Sequence, residues 1–384
     1  MNANSRKLSE NARLAWDTIL RKPRDEIAVW LINPMEWTMI DRLAGMPEGS
    51  YQKDPVPTYR RMLENCSCCM VDQWIPRNPL SMGAQGYEDG TSRGATTGAE
   101  EIVVDGCVID KPEDVVKHME SHVFPELNRA IESHEGGGDE TAADEIVRRE
   151  REMQSEIGPT MLKTPYNAAF PRLAYGKYGY VNYFMAYALF PDIMEKHFEL
   201  QADLAVLRNR VLVNAMEKGG LPRFLRLDHD MADSSGTLVD IKSLDKIWFP
   251  HFARSIQPLL DADVKMIWHC DGNLMQMVSR LLECGLRGFQ GFQYEDGMDY
   301  EKICSMTDRE GRELLIIAGV SVTRTLPHGS PEDVQEEMKF LVENGPENGL
   351  FLGGSSSITP GVPWANLKAL AEGFAYYRKK GRTE

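Results

Sequence analysis

The sequence lacks both an excess of basic residues and any long hydrophobic run, and the two absences narrow its function. Its 384 residues carry 43 Lys and Arg against 58 Asp and Glu, which gives a net charge of −15. Nucleic-acid surfaces need a basic patch that displaces phosphate counterions, and anionic lipid surfaces attract a similar patch. The longest aromatic-rich apolar run, residues 184–190, is too short to span a bilayer. We therefore expect neither a nucleic-acid nor a membrane partner.

Secretion signals and paired cysteine motifs are also missing. The first residues, MNANSRKLSE, contain no apolar signal segment, and this predicts a cytoplasmic protein. Seven cysteines, an odd number, suit reduced thiols better than a disulfide framework. Cys66, Cys68 and Cys69 form one cluster, but no second cysteine or histidine pair completes a zinc site. We interpret the cluster as a helix end that runs into a buried strand.

The last third of the chain repeats one pattern four times. Short apolar runs at 264–269, 286–292, 313–320 and 349–354 alternate with helical patterns at 273–284, 299–309, 330–344 and 363–379. Apolar runs that alternate with helices are typical of βα units around a parallel sheet. Four units in this length predict a (β/α)8 TIM barrel of the α/β class, whose active site lies in the loops after the strands.

The rest of the chain fits one barrel domain, 1–384, with additions. We predict an N-terminal helical extension at 1–25, an insertion at 76–190 and a C-terminal barrel half at 222–379. A first strand at 27–32 and a strand at 69–74 belong to the barrel. The insertion begins with a Gly-rich stretch that suits either a surface loop or a substrate lid, and continues into a hairpin at 101–110 and charged helices.

Acidic and histidine side chains follow two of the predicted strands. Asp228, His229 and Asp230 come where the strand FLRLD should end, and they suit either acid–base or metal chemistry or a simple turn cap. His269 and Asp271, two residues apart, can enter the barrel mouth together, because side chains alternate along a strand. With a glutamate after the next strand, at position 295, they make a candidate divalent-metal site.

The loop GGSSSITPG after the last predicted strand has two interpretations. Its glycines, hydroxyls and backbone amides can hold an anionic group, with Arg324 as the paired cation. An ordinary strand-to-helix turn explains the same residues. No Walker or dinucleotide motif accompanies the loop, so nucleotide binding is weakly supported.

A set of motifs in the last third resembles the uroporphyrinogen decarboxylase superfamily. The motifs are WHCDGN at 268–273, YEDGMDYEKI at 294–303, IIAGVSVTRTLPHGSPEDV at 316–334 and GGSSSITPGVPWANLKAL at 353–370. They occur in the order and at the spacing of that superfamily, which includes tetrapyrrole decarboxylases and corrinoid-linked methyltransferases. The similarity extends more faintly to 226–240 and to the aromatic region before it.

The resemblance implies a metal site with an altered ligand set. In the methyltransferases a histidine and two cysteines bind zinc. His269 matches the family histidine, whereas Asp271 and Ser356 stand where the two cysteines would be, and Glu295 resembles a family glutamate near the metal. A harder ion with water in its shell suits these residues better than thiolate-bound zinc. The arginine-rich segment that grips tetrapyrrole carboxylates in the decarboxylases has no match.

The resemblance and the residues together give one leading hypothesis. It is an enzyme that moves a methyl group between a small methylated substrate, such as a methoxylated or aromatic compound, and a corrinoid carrier protein. A divalent metal at His269, Asp271 and Glu295 would act as Lewis acid. The remaining predicted site residues are catalytic at Asp228, Asp230 and His269 and substrate-binding at Tyr294, Arg324, Ser355, Ser356 and Ser357.

Two alternatives remain open at this point. The first is a metal-free decarboxylase or lyase that acts on a tetrapyrrole or a small carboxylic acid. The second is a non-catalytic protein that binds a corrinoid or tetrapyrrole. In the leading hypothesis the candidate partners are a small-molecule substrate, the corrinoid carrier and a second copy of the chain in a homodimer.

Overall fold

The computed structural model describes residues 8–31, 33–77, 94–96, 98–135, 139–166 and 168–382. The strands are β1 Ala28–Val29, β2 Met70–Val71, β3 Val103–Val104, β4 Cys107–Val108, β5 Leu162–Lys163, β6 Phe224–Asp228, β7 Ala232–Asp233, β8 Gly236–Thr237, β9 Lys265–His269, β10 Gly288–Gln290, β11 Leu315–Val320 and β12 Leu350–Gly354.

Helices occupy most of the remaining described chain. They are α1 Glu10–Ile19, α2 Trp37–Leu43, α3 Ser50–Lys53, α4 Pro55–Asn65, α5 Pro112–His118, α6 Phe124–Glu135, α7 Asp139–Ile157, α8 Tyr175–Tyr178, α9 Tyr180–Leu189, α10 Pro191–Gly219, α11 Ile241–Ile247, α12 Phe249–Asp261, α13 Met275–Glu283, α14 Tyr300–Cys304, α15 Thr325–His328, α16 Pro331–Asn344 and α17 Trp364–Lys380, with a π-helical turn at Met119–Val123 and a 3₁₀ turn at Tyr294–Asp296. In the described part of the chain, no helix combines the length and apolar composition that a membrane crossing requires.

The central sheet is parallel and runs in barrel order. Six strands pair in the order β1-β12-β11-β10-β9-β6, and every one of these pairs is parallel. β2 and β5 pair with each other, and a parallel bridge between Trp30 and Met70 connects them to β1. The eight strands therefore follow the neighbour order of a (β/α)8 barrel. The α/β class and the parallel sheet are confirmed; the described strands leave the barrel open, without a backbone ladder between β5 and β6.

Side chains bridge the opening between β5 and β6. The Tyr166 hydroxyl, just after β5, donates to Asp228 at the end of β6 at 2.8 Å. Arg226 in the middle of β6 reaches Asp72, just after β2, at 2.7 Å between Nε and Oδ2. These contacts hold the strand ends together where the backbone ladder is absent.

The predicted elements of the C-terminal third are confirmed with shorter bounds. Each apolar run contains one strand from β9 to β12, and helices α13, α16 and α17 lie within one turn of the predicted ranges, whereas α14 ends five residues before its predicted end at 309. The hairpin predicted at 101–110 is present as the antiparallel pair of β3 and β4. Cys66, Cys68 and Cys69 are buried where α4 leads into β2, as their interpretation required.

Some predicted features fall outside the described residues. They include most of the Gly-rich stretch that begins the predicted insertion, at 76–98. Within the predicted N-terminal extension, α1 begins at Glu10 because Ser9 caps it: the Ser9 hydroxyl accepts the backbone N–H of Ala12 at 3.1 Å. Helices α11 and α12, which precede β9, were not predicted.

The interior of the sheet changes from apolar to polar along the strands. Side chains from the first halves of several strands form one apolar layer with α1, including Trp30, Phe224, Ile267, Leu315 and Phe351. Because side chains alternate, the next inward positions on β6 and β9 are Arg226, Asp228 and His269. The carboxyl ends of the strands therefore carry the polar groups, as expected for a barrel of this kind.

Candidate functional site

The site is built on the register between β6 and β9. Asp228 and His269 are partners in that parallel ladder, so their side chains emerge next to each other at the carboxyl ends of the two strands. Asp230 follows two residues after β6. One ligand atom from each of Asp228, Asp230 and His269 lies within 4.8 Å of the other two, a spacing that could hold a metal ion. Within the described parts of the chain, this is the group of acidic, histidine or cysteine residues gathered closely enough to do so.

His269 is the buried member of the group. It is 6 % exposed, and its Nδ1 has no hydrogen-bond partner among the described residues. A β-carbon at Gly291 would lie 2.6 Å from that Nδ1, so the glycine leaves the space that the imidazole uses. Buried polar atoms without partners are rare because each costs desolvation energy, and they often mark a ligand position.

Asp228 is held as a carboxylate by its neighbours. Its Oδ2 accepts hydrogen bonds from Tyr166 and from Nη1 of Arg226, each at 2.8 Å. Burial alone would raise the pKa of Asp228, but His269 and Arg226 outweigh that effect and lower it below its usual range. Asp228 is therefore suited to bind a cation and poorly suited to donate a proton at neutral pH.

Asp271 lies beside the group and has the opposite electrostatic character. Its Oδ1 is 3.9 Å from Nε2 of His269 and has no hydrogen-bond partner among the described residues. Burial raises the pKa of Asp271 above its usual range, against the charge of His269 and with the carboxylate of Asp230 acting in the same direction as burial. Its Oδ2 accepts the Ser356 hydroxyl at 3.2 Å. Asp271 is thus the acidic side chain best placed to keep a proton.

Glu295, the third ligand of the sequence-based metal set, is placed differently. Its Oε1 accepts hydrogen bonds from the hydroxyls of Ser321 and Thr323, which follow β11. It is not a member of the group that could hold an ion. The structure thus brings His269 and Asp271 together, and it gathers Asp228 and Asp230 around His269 instead of Glu295.

The predicted substrate-binding residues divide into two sets. Ser356 contacts Asp271 and so adjoins the site, whereas the Ser355 hydroxyl is buried and accepts the backbone N–H of Val322 at 3.1 Å. Arg324 is exposed, and its Nη2 donates to the backbone oxygen of Glu295 at 3.3 Å. Ser357 and Tyr294 are half-buried, and the Tyr294 hydroxyl has no partner among the described residues.

Sequence reasoning missed the residues that hold Asp228. Arg226 shares a strand face with Asp228, and the spacing of two in FLRLD was a signal that could have found it. Asp72 and Tyr166 carried no such signal, because they lie 154 and 62 residues away from their partners in the chain. Only the folded arrangement brings them to the site.

Comparisons with known proteins give one family match and a fold likeness. Residues 230–375 match the family model of uroporphyrinogen decarboxylase (URO-D). A methyltransferase from Methanosarcina mazei has a similar structure, with a TM-score of 0.57 and 15% identity over 96% of this chain and 98% of that one. A B12-independent methionine synthase from a Shewanella species aligns with a TM-score of 0.35 and 14% identity over 48% of this chain and 56% of its own. No curated protein sequence matches the chain.

The family match covers three of the site residues and the last four strands of the barrel. Asp230, His269 and Asp271 all lie inside the matched range, and so do the four motifs that indicated the resemblance. The fold likeness to the Methanosarcina protein extends over almost the whole of both chains. The family match is therefore confined to residues 230–375, which are similar to a uroporphyrinogen decarboxylase (URO-D) domain.

Proposed function

We propose that this chain is a methyltransferase-like enzyme of the URO-D superfamily. It moves a methyl group between a small methylated substrate, such as a methoxylated or aromatic compound, and a corrinoid held by a partner protein. The observation that carries the proposal is the gathering of Asp228, Asp230 and His269 within 4.8 Å at the carboxyl ends of β6 and β9. The fold likeness to a protein titled a methyltransferase supports the reaction class.

The residues present fit a divalent metal ion. One ligand atom from each of the Asp228 and Asp230 carboxylates lies within 4.8 Å of one from the His269 imidazole, and no arginine or lysine is paired with Asp230 or Asp271 among the contacts of the described residues. A cation bound beside His269 would be attracted by the carboxylates of both Asp228 and Asp230. The buried Nδ1 of His269 and Oδ1 of Asp271 both lack a hydrogen-bond partner in the described structure, which is the expected state of atoms that await a ligand.

The donor set favours a hard ion over thiolate-bound zinc. Cys270 is the nearest thiol in sequence, but its Sγ accepts from the backbone N–H of Met231 at 3.3 Å and donates to the Asp271 carbonyl at 2.9 Å. Burial raises the pKa of the Cys270 thiol, so the thiolate form is disfavoured. Carboxylate oxygens with a single imidazole suit manganese, iron or magnesium, with water in the remaining positions.

Each residue of the site has a distinct proposed role. Asp228 and Asp230 join His269 as the proposed ligands. A divalent ion bound there would supply a Lewis acid for the heteroatom from which the methyl group departs. Asp271, with its raised pKa, holds a proton at Oδ1 for that heteroatom, and the Ser356 hydroxyl fixes the other oxygen. Arg324, exposed at the end of β11, is proposed to bind an anionic part of the substrate.

The experiment combines metal analysis with a methyl-transfer assay that uses free reduced cobalamin in place of the carrier. We expect about one divalent ion per chain and methyl transfer from a methoxylated aromatic compound to cobalamin. His269→Ala should lose both, whereas His328→Ala, a change at an exposed histidine on α15, should keep both. A protein with no bound divalent ion, and with turnover intact in His269→Ala, would refute the proposal.

A second candidate function is the loss of carbon dioxide from a small carboxylic acid without a metal. The raised pKa of Asp271 favours it, because a protonated carboxyl group could protonate the carbanion left when the C–C bond breaks and CO₂ departs. CO₂ release without any corrinoid, abolished by Asp271→Asn and unaffected by chelators, would select this function. Methyl transfer that depends on the metal would exclude it.

A further inference from the structure

Arg226 is a fully buried cation directly behind the site. It lies in the middle of β6, and its side chain is 0 % exposed. The guanidinium carbon lies 5.1 Å from the centre of the Trp30 ring and 5.1 Å from that of the Tyr166 ring. Aromatic faces attract a guanidinium group, and a flat cation between two rings has little freedom to move.

A second buried charge, the Asp72 carboxylate, anchors Arg226. Its Nε donates to Oδ2 of Asp72 at 2.7 Å. Asp72 is itself fixed, because its Oδ1 accepts the indole N–H of Trp30 at 3.0 Å and the backbone N–H of Gln73 at 2.9 Å. The guanidinium is therefore held at one edge by a carboxylate that cannot easily rotate.

The other edge of Arg226 determines how Asp228 is presented. Nη1 of Arg226 and the Tyr166 hydroxyl both donate to the same oxygen, Oδ2 of Asp228. Since two donors occupy Oδ2, the remaining oxygen, Oδ1, is the one left for other partners. Asp228 and His269 are ladder partners, so a fixed Asp228 carboxylate lies next to the imidazole.

We propose that Arg226, anchored by Asp72, is the positioning residue that fixes Asp228 with one oxygen available to a divalent cation beside His269. The inference rests on the proposed function, because that function supplies the cation. Residues that orient a metal ligand through hydrogen bonds typically change metal affinity by about 10–100-fold when they are removed. Arg226 touches neither ion nor substrate and acts through Asp228.

A purely structural role is the competing explanation. Arg226 also joins the end of β2 to β6, near the position where the described strands leave the barrel open. A structural arginine would affect the free energy of unfolding, and its loss would weaken cation binding independently of Asp228. A positioning arginine would weaken cation binding only through Asp228, so the two roles separate in a double-mutant cycle.

The test measures Mn²⁺ binding to the full chain by calorimetry, with the electron paramagnetic resonance spectrum of bound Mn²⁺ as a second readout. Arg226→Lys keeps the charge but cannot reach Asp72 and Asp228 together, and we expect affinity to fall about 10–100-fold with a broadened spectrum. Tyr166→Phe removes only the second donor to Asp228, and we expect a fall of about 3–10-fold. Tyr166→Phe also tests the inference if Arg226→Lys fails to fold.

Two controls make the result specific. Tyr187→Phe removes a hydroxyl bonded to Ser243, away from Asp228, and should bind Mn²⁺ as the unaltered chain does. The double variant Arg226→Lys/Asp228→Asn should bind no more weakly than Asp228→Asn alone. Unchanged affinity in folded Arg226→Lys and Tyr166→Phe, or losses that add in the double variant, would overturn the inference while the proposed function stands. Absence of Mn²⁺ binding to the unaltered chain would overturn both.

Discussion

The amino ends and the carboxyl ends of the central strands both carry buried charged side chains, but these charges are paired differently at the two ends. At the amino ends of the strands, the side chain of Asp308 is 1 % exposed. Its Oδ2 lies 3.2–3.3 Å from nitrogen atoms of Arg21, Arg287 and Arg312. Arg287, just before β10, also pairs with Glu310 and Asp263. At the carboxyl ends of the strands, Asp228, Asp230 and Asp271 lie around His269, and among the contacts of the described residues only Asp228 of the three is paired with an arginine.

The difference separates stability from function. A buried charge network in which every charge has partners holds the strand starts together, and breaking it would leave uncompensated charges. At the carboxyl ends Asp228 is paired with Arg226, but Asp230 and Asp271 have no arginine or lysine partner among the described contacts, and this excess of carboxylates points to a ligand. Barrels of this class place stability at the start of the strands and chemistry at their ends.

The largest expected effect on stability is at the amino ends of the strands, where the buried charges are paired. Asp308→Asn removes the anion shared by three arginines and leaves Arg21 and Arg287 buried without it. We expect the free energy of unfolding to fall by about 3–5 kcal/mol, with Mn²⁺ affinity of the folded protein unchanged. Urea unfolding measures the loss; Lys339→Ala, in the exposed pair with Glu343, is the control and should change stability little. A comparable loss of unfolding free energy in Asp308→Asn and Lys339→Ala would contradict a stabilising role for the buried charges at the amino ends of the strands.

At the carboxyl ends of the strands, removal of a buried negative charge should stabilise the fold. Glu337 on α16 accepts the backbone N–H of Ser321 at 2.7 Å through Oε1, while its Oε2 has no partner among the described residues. Burial raises the pKa of Glu337 to about 7, against the backbone hydrogen bond from Ser321. Because this folded-state pKa lies above the ordinary 4.5, ionisation costs stability as the pH rises from about 4.5 to about 7.

Glu337→Gln should therefore be more stable than the unaltered chain at pH 8, by about 1–3 kcal/mol, and no more stable below pH about 4.5. The substitution keeps the oxygen that accepts the Ser321 N–H. Unfolding free energies measured across this pH range test the prediction. A stability difference that does not vary with pH, or one of opposite sign at pH 8, would show that Glu337 is compensated after all.

Filling the space beside His269 should have a smaller effect. Gly291 has a φ of +86°, and its added β-carbon would press on Nδ1 of His269 at 2.6 Å. Gly361 has a similar φ of +92° with nothing within 4 Å, so Gly361→Ala reports the backbone strain alone. We expect Gly291→Ala to cost about 1–2 kcal/mol more than Gly361→Ala and to weaken Mn²⁺ binding. Equal costs with intact binding would mean that the imidazole is free to move.

The smallest expected effect is on Mn²⁺ affinity in Glu295→Gln, and it tests whether Glu295 or Asp228 is a metal ligand. Glu295 is engaged by Ser321 and Thr323, so Glu295→Gln should change Mn²⁺ affinity by less than about 3-fold. Asp228→Asn removes a proposed ligand, and the affinity should fall by at least about 10-fold. Calorimetric titration of the two variants decides between the sets, and a larger loss in Glu295→Gln would restore the set predicted from sequence.

Sequence patterns gave the strands and most helices of the C-terminal third, because continuous apolar runs and helical periodicity are local signals. The same locality explains why Asp228, Asp230 and His269 could be named as candidates: each follows an apolar run. What could not be predicted was their assembly. The ladder partnership of β6 and β9 joins residues about 40 positions apart, and it selected Asp228 and Asp230 over Glu295 as neighbours of His269.

The supporting residues were beyond sequence reasoning for a related reason. A buried arginine within an apolar strand violates the usual pattern, and its partner Asp72 lies just after β2, 154 residues away in the chain. Tyr166 belongs to a segment dense in aromatic residues, a pattern that predicts core packing more often than a ligand site. Only tertiary contacts show that these residues converge on Asp228.

The most direct test of a cation site at the carboxyl ends of the strands is the calorimetric titration of Mn²⁺ into the unaltered chain and into Asp230→Asn. Asp230 is exposed, and its Oδ1 accepts the backbone N–H of Asp271, which asparagine can also do. We predict one ion per chain, an affinity at least about 10-fold weaker in Asp230→Asn, and equal thermal stability of the two proteins without Mn²⁺. No binding to the unaltered chain, or equal affinity in the two proteins, would contradict the account.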